Sequence, residues 1–133
     1  DPPGVVGSVP GLRNRRLSAR ELGRAGEKAA AELIRRHGYE VVGQGFVARR
    51  GEIDLLGRRG GELVVFEVKT RSSLLYGTPA EAVGRRKRRA LNAAAGEYRA
   101  LSGWRGPIRF GVVSLLMDGD GEVRQAELLE DPF

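Results

Sequence analysis

The stretch GEIDLLGRRGGELVVFEVKTR, residues 51–71, decides the fold. Two strand-like runs, 52–57 and 62–70, flank Arg58-Arg59-Gly60-Gly61, and the second is rich in β-branched and aromatic residues. Such runs around a Gly-Gly pair predict an antiparallel hairpin. With Gly60-Gly61 as the turn, paired residues carry numbers that sum to 121, so Asp54 is expected opposite Glu67, and Glu52 opposite Lys69. Alternation puts Leu63, Val65, Glu67 and Lys69 on one face and Val64, Phe66 and Val68 on the other.

Two carboxylates and an ammonium thus converge on a hairpin too apolar to be a freely solvated ribbon, and polar residues there need a reason. Directly opposed like charges destabilise a sheet by roughly 0.2–1 kcal/mol. In a half-desolvated cleft the repulsion reaches about 3 kcal/mol at an effective dielectric of ~20. A divalent cation offsets it, since carboxylate oxygens are the ligands Mg²⁺ and Mn²⁺ prefer. The competing reading is a metal-free salt-bridge cluster of Glu52, Asp54, Glu67 and Lys69.

Upstream, Ser18 and Glu21 form a capping box, and Leu17 can staple onto Leu22, so a helix is expected to start there. Its apolar stripe, Leu22, Ala25, Ala29 and Leu33, widens through Gly26, Ala30 and Ile34, and Gly38 supplies the stop. At about 100° per residue, Glu27 falls beside Ile34 at the edge of that stripe, where it can look into a cleft. His37 reads as a partner for the dipole at the helix end. Runs 39–42 and 46–48 read as one strand interrupted by Gly43 and Gly45. Downstream, Thr78-Pro79-Ala80-Glu81 is a second capping box, opening a helix that reaches about Leu101 unless Gly84 breaks it. Strands over 108–117 and 123–129 follow, joined by a hairpin turn at Asp118-Gly119-Asp120-Gly121. That turn lacks the later bidentate Glu of a calcium loop. The order αβββαββ predicts an α/β protein with a mixed central sheet flanked by helices. Residues 1–17, without periodicity, read as a flexible tail, and 18–133 as a single domain.

A chain of 133 residues fits one domain, and its 41% hydrophobic and 30% charged content is that of a globular protein. The absence of cysteine excludes disulfides, thiolate metal sites and cysteine nucleophiles, so any metal must sit on oxygen or on the single His37. No apolar run approaches the ~20 residues of a membrane span or the ~7–15 of a signal-peptide core, which reads as a cytoplasmic protein. The formal charge of +6 favours a polyanionic partner, nucleic acid first, although a basic balance also serves solubility alone. Arg85, Arg86, Lys87, Arg88 and Arg89 are five consecutive cations, which on a helix spread over every face. Phosphate contact is the preferred reading, and Arg49, Arg50, Arg58, Arg59 and Arg71 extend the basic surface around the hairpin.

Asp54 with Glu67-Val68-Lys69, and Glu27 on the preceding helix, resembles the signature of restriction-endonuclease-like nucleases and archaeal Holliday-junction resolvases. Gly26-Glu27, Gly51-Glu52-Ile53-Asp54-Leu55-Leu56 and Phe66-Glu67-Val68-Lys69-Thr70-Arg71 are more closely similar to the YraN-like family, small bacterial proteins on that nuclease fold. The resemblance covers about residues 18–133, including Lys87, and departs at Gly111, where the family's Arg-Phe-Asp-Val stretch is acidic. It implies a restriction-endonuclease-like core and metal-dependent cleavage of nucleic acid, DNA foremost, including branched or junction DNA in repair and recombination. It also implies that Asp54, Glu67 and the Val68 carbonyl hold Mg²⁺ or Mn²⁺, that Lys69 orients or deprotonates the attacking water, and that Glu27 is a further ligand or supports one. Arg71, Arg85, Arg86, Lys87, Arg88 and Arg89 are the expected nucleic-acid contacts. Symmetric junction substrates would favour a homodimer. The rival reading is a non-catalytic nucleic-acid-binding module on the same fold, which would hold its ligand equally well without metal.

Overall fold

The structure, a computed structural model, describes residues 17–71 and 84–132. The expected tail before Leu17 and the capping box at 78–81 lie outside the described residues. Helix α1 (Ala19–Arg36) starts on the expected capping box: Glu21 N donates to Ser18 Oγ at 3.2 Å, and Ser18 N donates to Glu21 Oε1 at 2.8 Å. It ends at His37, whose Nδ1 lies 3.0 Å from the Leu33 carbonyl, and Gly38 then takes the left-handed conformation, φ 89°.

Strands β1 (Glu40–Val47), β2 (Glu52–Arg59) and β3 (Glu62–Arg71) follow, then helix α2 (Arg85–Ser102) and strands β4 (Ile108–Met117) and β5 (Val123–Glu130). The five strands lie side by side in chain order. All neighbours are antiparallel except β3 and β4, which are parallel and connected through α2. The expected interruption of β1 is a bulge between Val41 and Gly43 within one continuous strand. Gly84 is the extended, side-chain-free N-cap of α2, so this glycine marks where the described helix begins. Between β4 and β5, Asp118 accepts from the backbone N–H groups of Asp120 and Glu122, which is hairpin-turn geometry.

Strand alternation distributes the core over both faces. Ala30, Ala31 and Ile34 of α1 pack on Leu55, Val64, Phe66, Val113 and Leu115. Leu91, Ala94 and Ala95 of α2 pack on Ile53, Leu56, Leu63, Val65 and Val112. The molecule is therefore helix, mixed sheet, helix. No helix among the described residues is long and apolar enough to cross a membrane.

The hairpin register is the expected one, but only for part of its length. Rungs run from Arg59↔Glu62 to Leu55↔Phe66 and stop there. Beyond that point β2 stays with β1 as far as Glu52↔Val47, and β3 stays with β4 as far as Arg71↔Leu116. The sheet forks. The expected rungs of Asp54 with Glu67 and Glu52 with Lys69 do not form, because alternation breaks at Asp54: Ile53 packs toward α2 and Leu55 toward α1. The Asp54 carboxylate takes the place of a backbone rung by accepting from Val68 N at 2.9 Å.

Candidate active site at the fork of the sheet

Asp54 stands on the β2 branch and Glu67, Val68 and Lys69 on the β3 branch, so the fork brings together the residues implied by the sequence resemblance. Glu67 lies in the run that supplies Leu63 and Val65 to the α2-side core, and it is only 4% exposed. Its Oε2 meets Lys87 Nζ of α2 at 3.4 Å, while Oε1 is buried without a hydrogen-bond partner. Burial first, and the negative charge of Asp54 second, push the Glu67 carboxyl up to about 7, against the opposing pull of Lys87 and Lys69. The metal-free salt-bridge cluster expected as the alternative is not what forms. Glu52 runs beside Val47 of β1, and the ion pair that reaches Glu67 comes from Lys87.

On the α1 side a cavity of about 450 Å³ is lined by Glu27, Asp54, Val68, Lys69 and Arg71, among others. Glu27 reaches it because α1 approaches β3 closely at the preceding residue: a methyl on Gly26 would collide with Thr70 Oγ1. Burial, and then the charges of Asp54 and Glu52, raise the Glu27 carboxyl above the usual carboxylate range. Arg71 donates to Ser114 Oγ of β4 at 3.4 Å. Among the described residues, no three acidic, His or Cys side chains gather closely enough to chelate an ion. The set offered by the fork is the mutually interacting carboxylates of Asp54 and Glu67 with the Val68 backbone, while Glu27 lines the α1-side cavity together with Asp54. That set fits Mg²⁺ or Mn²⁺, because Mg²⁺ usually takes one or two carboxylates and completes its octahedron with water and phosphate oxygens. The unpartnered Glu67 Oε1 and the mutual repulsion with Asp54 are what a divalent ion would relieve.

The basic run of α2 divides between two surfaces. Arg86 and Lys87 line a groove of about 740 Å³ together with Arg50, Gly51 and Glu52. Arg85, Arg88 and Arg89 line another of about 560 Å³ with Asn92 and Phe110. Three contacts were not expected from the sequence, although Gly51 and Lys87 were themselves named there. Gly51 lets the β1–β2 turn touch α2, since a Cβ there would sit 2.7 Å from the Ala90 carbonyl oxygen. Ser114 is a buried polar side chain in an apolar strand, and that polar exception was a visible signal. The contact of Lys87 with Glu67 had no local signal at all. At Gly111 the resemblance calls for an acid, but a Cβ there would lie 2.7 Å from Phe66 ring carbons, so the ring fills that space.

Two helices on opposite faces of a forked, mixed five-stranded sheet make this an α/β protein consistent with a restriction-endonuclease-like core. The sequence profile of Uncharacterised protein family UPF0102 matches residues 26–115, from Gly26-Glu27 through the fork and α2 into β4. A UPF0102 protein of Symbiobacterium thermophilum is 43% identical over 116 residues, covering 86% of this chain and 98% of its own length. A UPF0102 protein of Caldicellulosiruptor bescii is 35% identical over 119 residues, covering 88% and 100%. One of Rhodococcus opacus is 41% identical over 113 residues, covering 84% and 95%. The chain belongs to the UPF0102 family, in agreement with the YraN-like resemblance of its sequence.

Proposed function

We propose that this protein is a metal-dependent endonuclease that hydrolyses phosphodiester bonds in nucleic acid, DNA foremost. The observation that carries the proposal is the fork, which brings Asp54 and the buried, half-satisfied Glu67 close to Lys69, with the groove of Arg50, Arg86 and Lys87 on the α2 side. Asp54, Glu67 and the Val68 carbonyl hold Mg²⁺ or Mn²⁺. When bound, the ion supplies charge stabilisation to the phosphoryl oxygens and helps to activate water near neutral pH.

Lys69 orients the attacking water or takes its proton, as a positioned ammonium or amine lining the same cavity as Asp54 can do. Glu27, outside the pair of ligating carboxylates, supports the water or the ion from α1. Arg71 and the cations at 85–89 neutralise backbone phosphates, which positions the nucleic acid without selecting its sequence. Because no three acidic side chains gather to chelate an ion among the described residues, a non-catalytic nucleic-acid-binding module is the alternative.

The deciding experiment incubates branched and linear DNA and RNA with the protein in Mg²⁺, Mn²⁺ or EDTA. Cleavage that needs metal is the expected outcome. Binding that is equally tight in EDTA, with no cleavage in either metal, overturns the proposal in favour of the binding module.

A further inference from the structure

Helix α2 begins with Arg85, Arg86, Lys87, Arg88 and Arg89, has no side-chain cap, and carries no acid in its first turn. Cations at a helix start oppose its dipole. An anion nearby would compensate, and β3 supplies one in Glu67 Oε2, 3.4 Å from Lys87 Nζ. The two ends of this pair differ. The Glu67 side chain is 5% exposed, whereas that of Lys87 is 41% exposed and lines the groove beside Arg50 and Arg86. A lysine stem can swing its ammonium into such a groove while the stem stays on the protein. The carboxylate cannot follow, because it is buried on β3 with Oε1 unpartnered.

We propose that Lys87 is the resident counter-cation of Glu67 in the metal-free protein and competes with the divalent ion for that carboxylate, leaving it when the ion binds. The inference rests on the metal reading above and adds an exchange of cations to it. Lys87 meets Oε2 and the ion would take the open Oε1. The two cations would then stand a few ångströms apart in a partly desolvated site, so they repel each other and compete for the one negative charge. The exchange also gives the metal-free fork a partial remedy for its two adjacent carboxylates.

The test compares the parent with Lys87→Met, which keeps the length of the stem and removes its charge. Mn²⁺ alone is titrated at pH 8 under nitrogen, and the free ion is counted by its solution EPR signal. Lys87→Met is expected to bind Mn²⁺ about tenfold more tightly, because the ion no longer has to displace a half-exposed ion pair. In EDTA the same variant should melt below the parent, and adding Glu67→Gln should recover the loss. Lys87→Gln, which retains a hydrogen-bond donor for Glu67, gives the same comparison if methionine is not tolerated. Equal or weaker Mn²⁺ binding by the charge-removed variants, with the parent binding normally, overturns the exchange and leaves the metal reading standing. If neither parent nor variants bind Mn²⁺, the metal reading fails and takes the exchange with it.

Discussion

Among the described residues, Glu67 is the one charged side chain that is buried. It is buried, one oxygen lacks a donor, and Asp54 shares its surroundings, so its ionised form costs stability. Its folded-state value near 7 lies above the ordinary 4.5, so the folded state binds the extra proton. That cost is absent below the ordinary value, grows as pH rises between the two, and is fully present above about 7. Asp54→Asn removes one cause while an amide oxygen can still accept from Val68 N. In EDTA the variant should therefore match or exceed the parent's stability at pH 8 and show no such gain at pH 4. It should also lose Mn²⁺ binding. Thermal unfolding at the two pH values checks this, and a clear drop at pH 8 contradicts it. Both acids were legible in the sequence as polar exceptions in an apolar hairpin. Lys87 as the partner of Glu67 was not, because that contact depends on how α2 packs across the sheet.

Among the elements, the seat of α1 on β3 sets where Glu27 stands. Gly26→Ala should push α1 away from Thr70 and cost roughly 1–3 kcal/mol, the usual penalty of overpacking. Thr70→Ala should recover much of that loss, so a double-mutant cycle by urea unfolding measures the contact. At the other end of the sheet, Glu130 of β5 accepts from the Tyr39 hydroxyl and from Arg59 Nη2 at 2.8 Å, while the Arg59 guanidinium lies 4.1 Å from the Tyr39 ring centre. The Tyr39 hydrogen bond, followed by Arg59, holds the Glu130 carboxyl below the usual carboxylate range. A depressed folded value contributes stability above the ordinary value that is lost as pH falls through it. Glu130→Gln should therefore lower stability modestly at pH 7, and make the decline between pH 5 and pH 3 shallower than in the parent. Unfolding free energies across that range check the sign. The elements themselves were largely legible, since the Ser18 cap, the Gly60-Gly61 turn and the Asp118 turn are local chemistry. The end of the β2–β3 ladder was not. Which neighbour each strand keeps beyond Leu55 is decided by β1, β4 and the two helices together.

At the scale of the whole molecule, among the cations behind the net charge of +6, Arg50, Arg86 and Lys87 line one groove on the α2 side, Arg85, Arg88 and Arg89 line another, and Lys69 and Arg71 line the α1-side cavity. Arg86→Ala with Arg89→Ala removes one cation from each α2 groove. Affinity for nucleic acid should fall to a similar extent on every sequence, and the salt slope should flatten by about 0.9 for each duplex-DNA phosphate that is no longer neutralised. Fluorescence anisotropy over a salt series measures both quantities, and an unchanged slope would remove this surface from the binding face. The most direct test of the fork as a hydrolytic centre is single-turnover cleavage by Lys69→Ala at saturating Mn²⁺, with metal affinity measured calorimetrically on the same protein. Lys69 is not one of the proposed metal ligands, so Mn²⁺ and nucleic-acid binding should stay near the parent values while cleavage falls by about 10²–10⁴, the range for a positioned proton-transfer group. Parent-like cleavage together with parent-like Mn²⁺ affinity would contradict the assignment of Lys69 and, with it, hydrolysis at the fork.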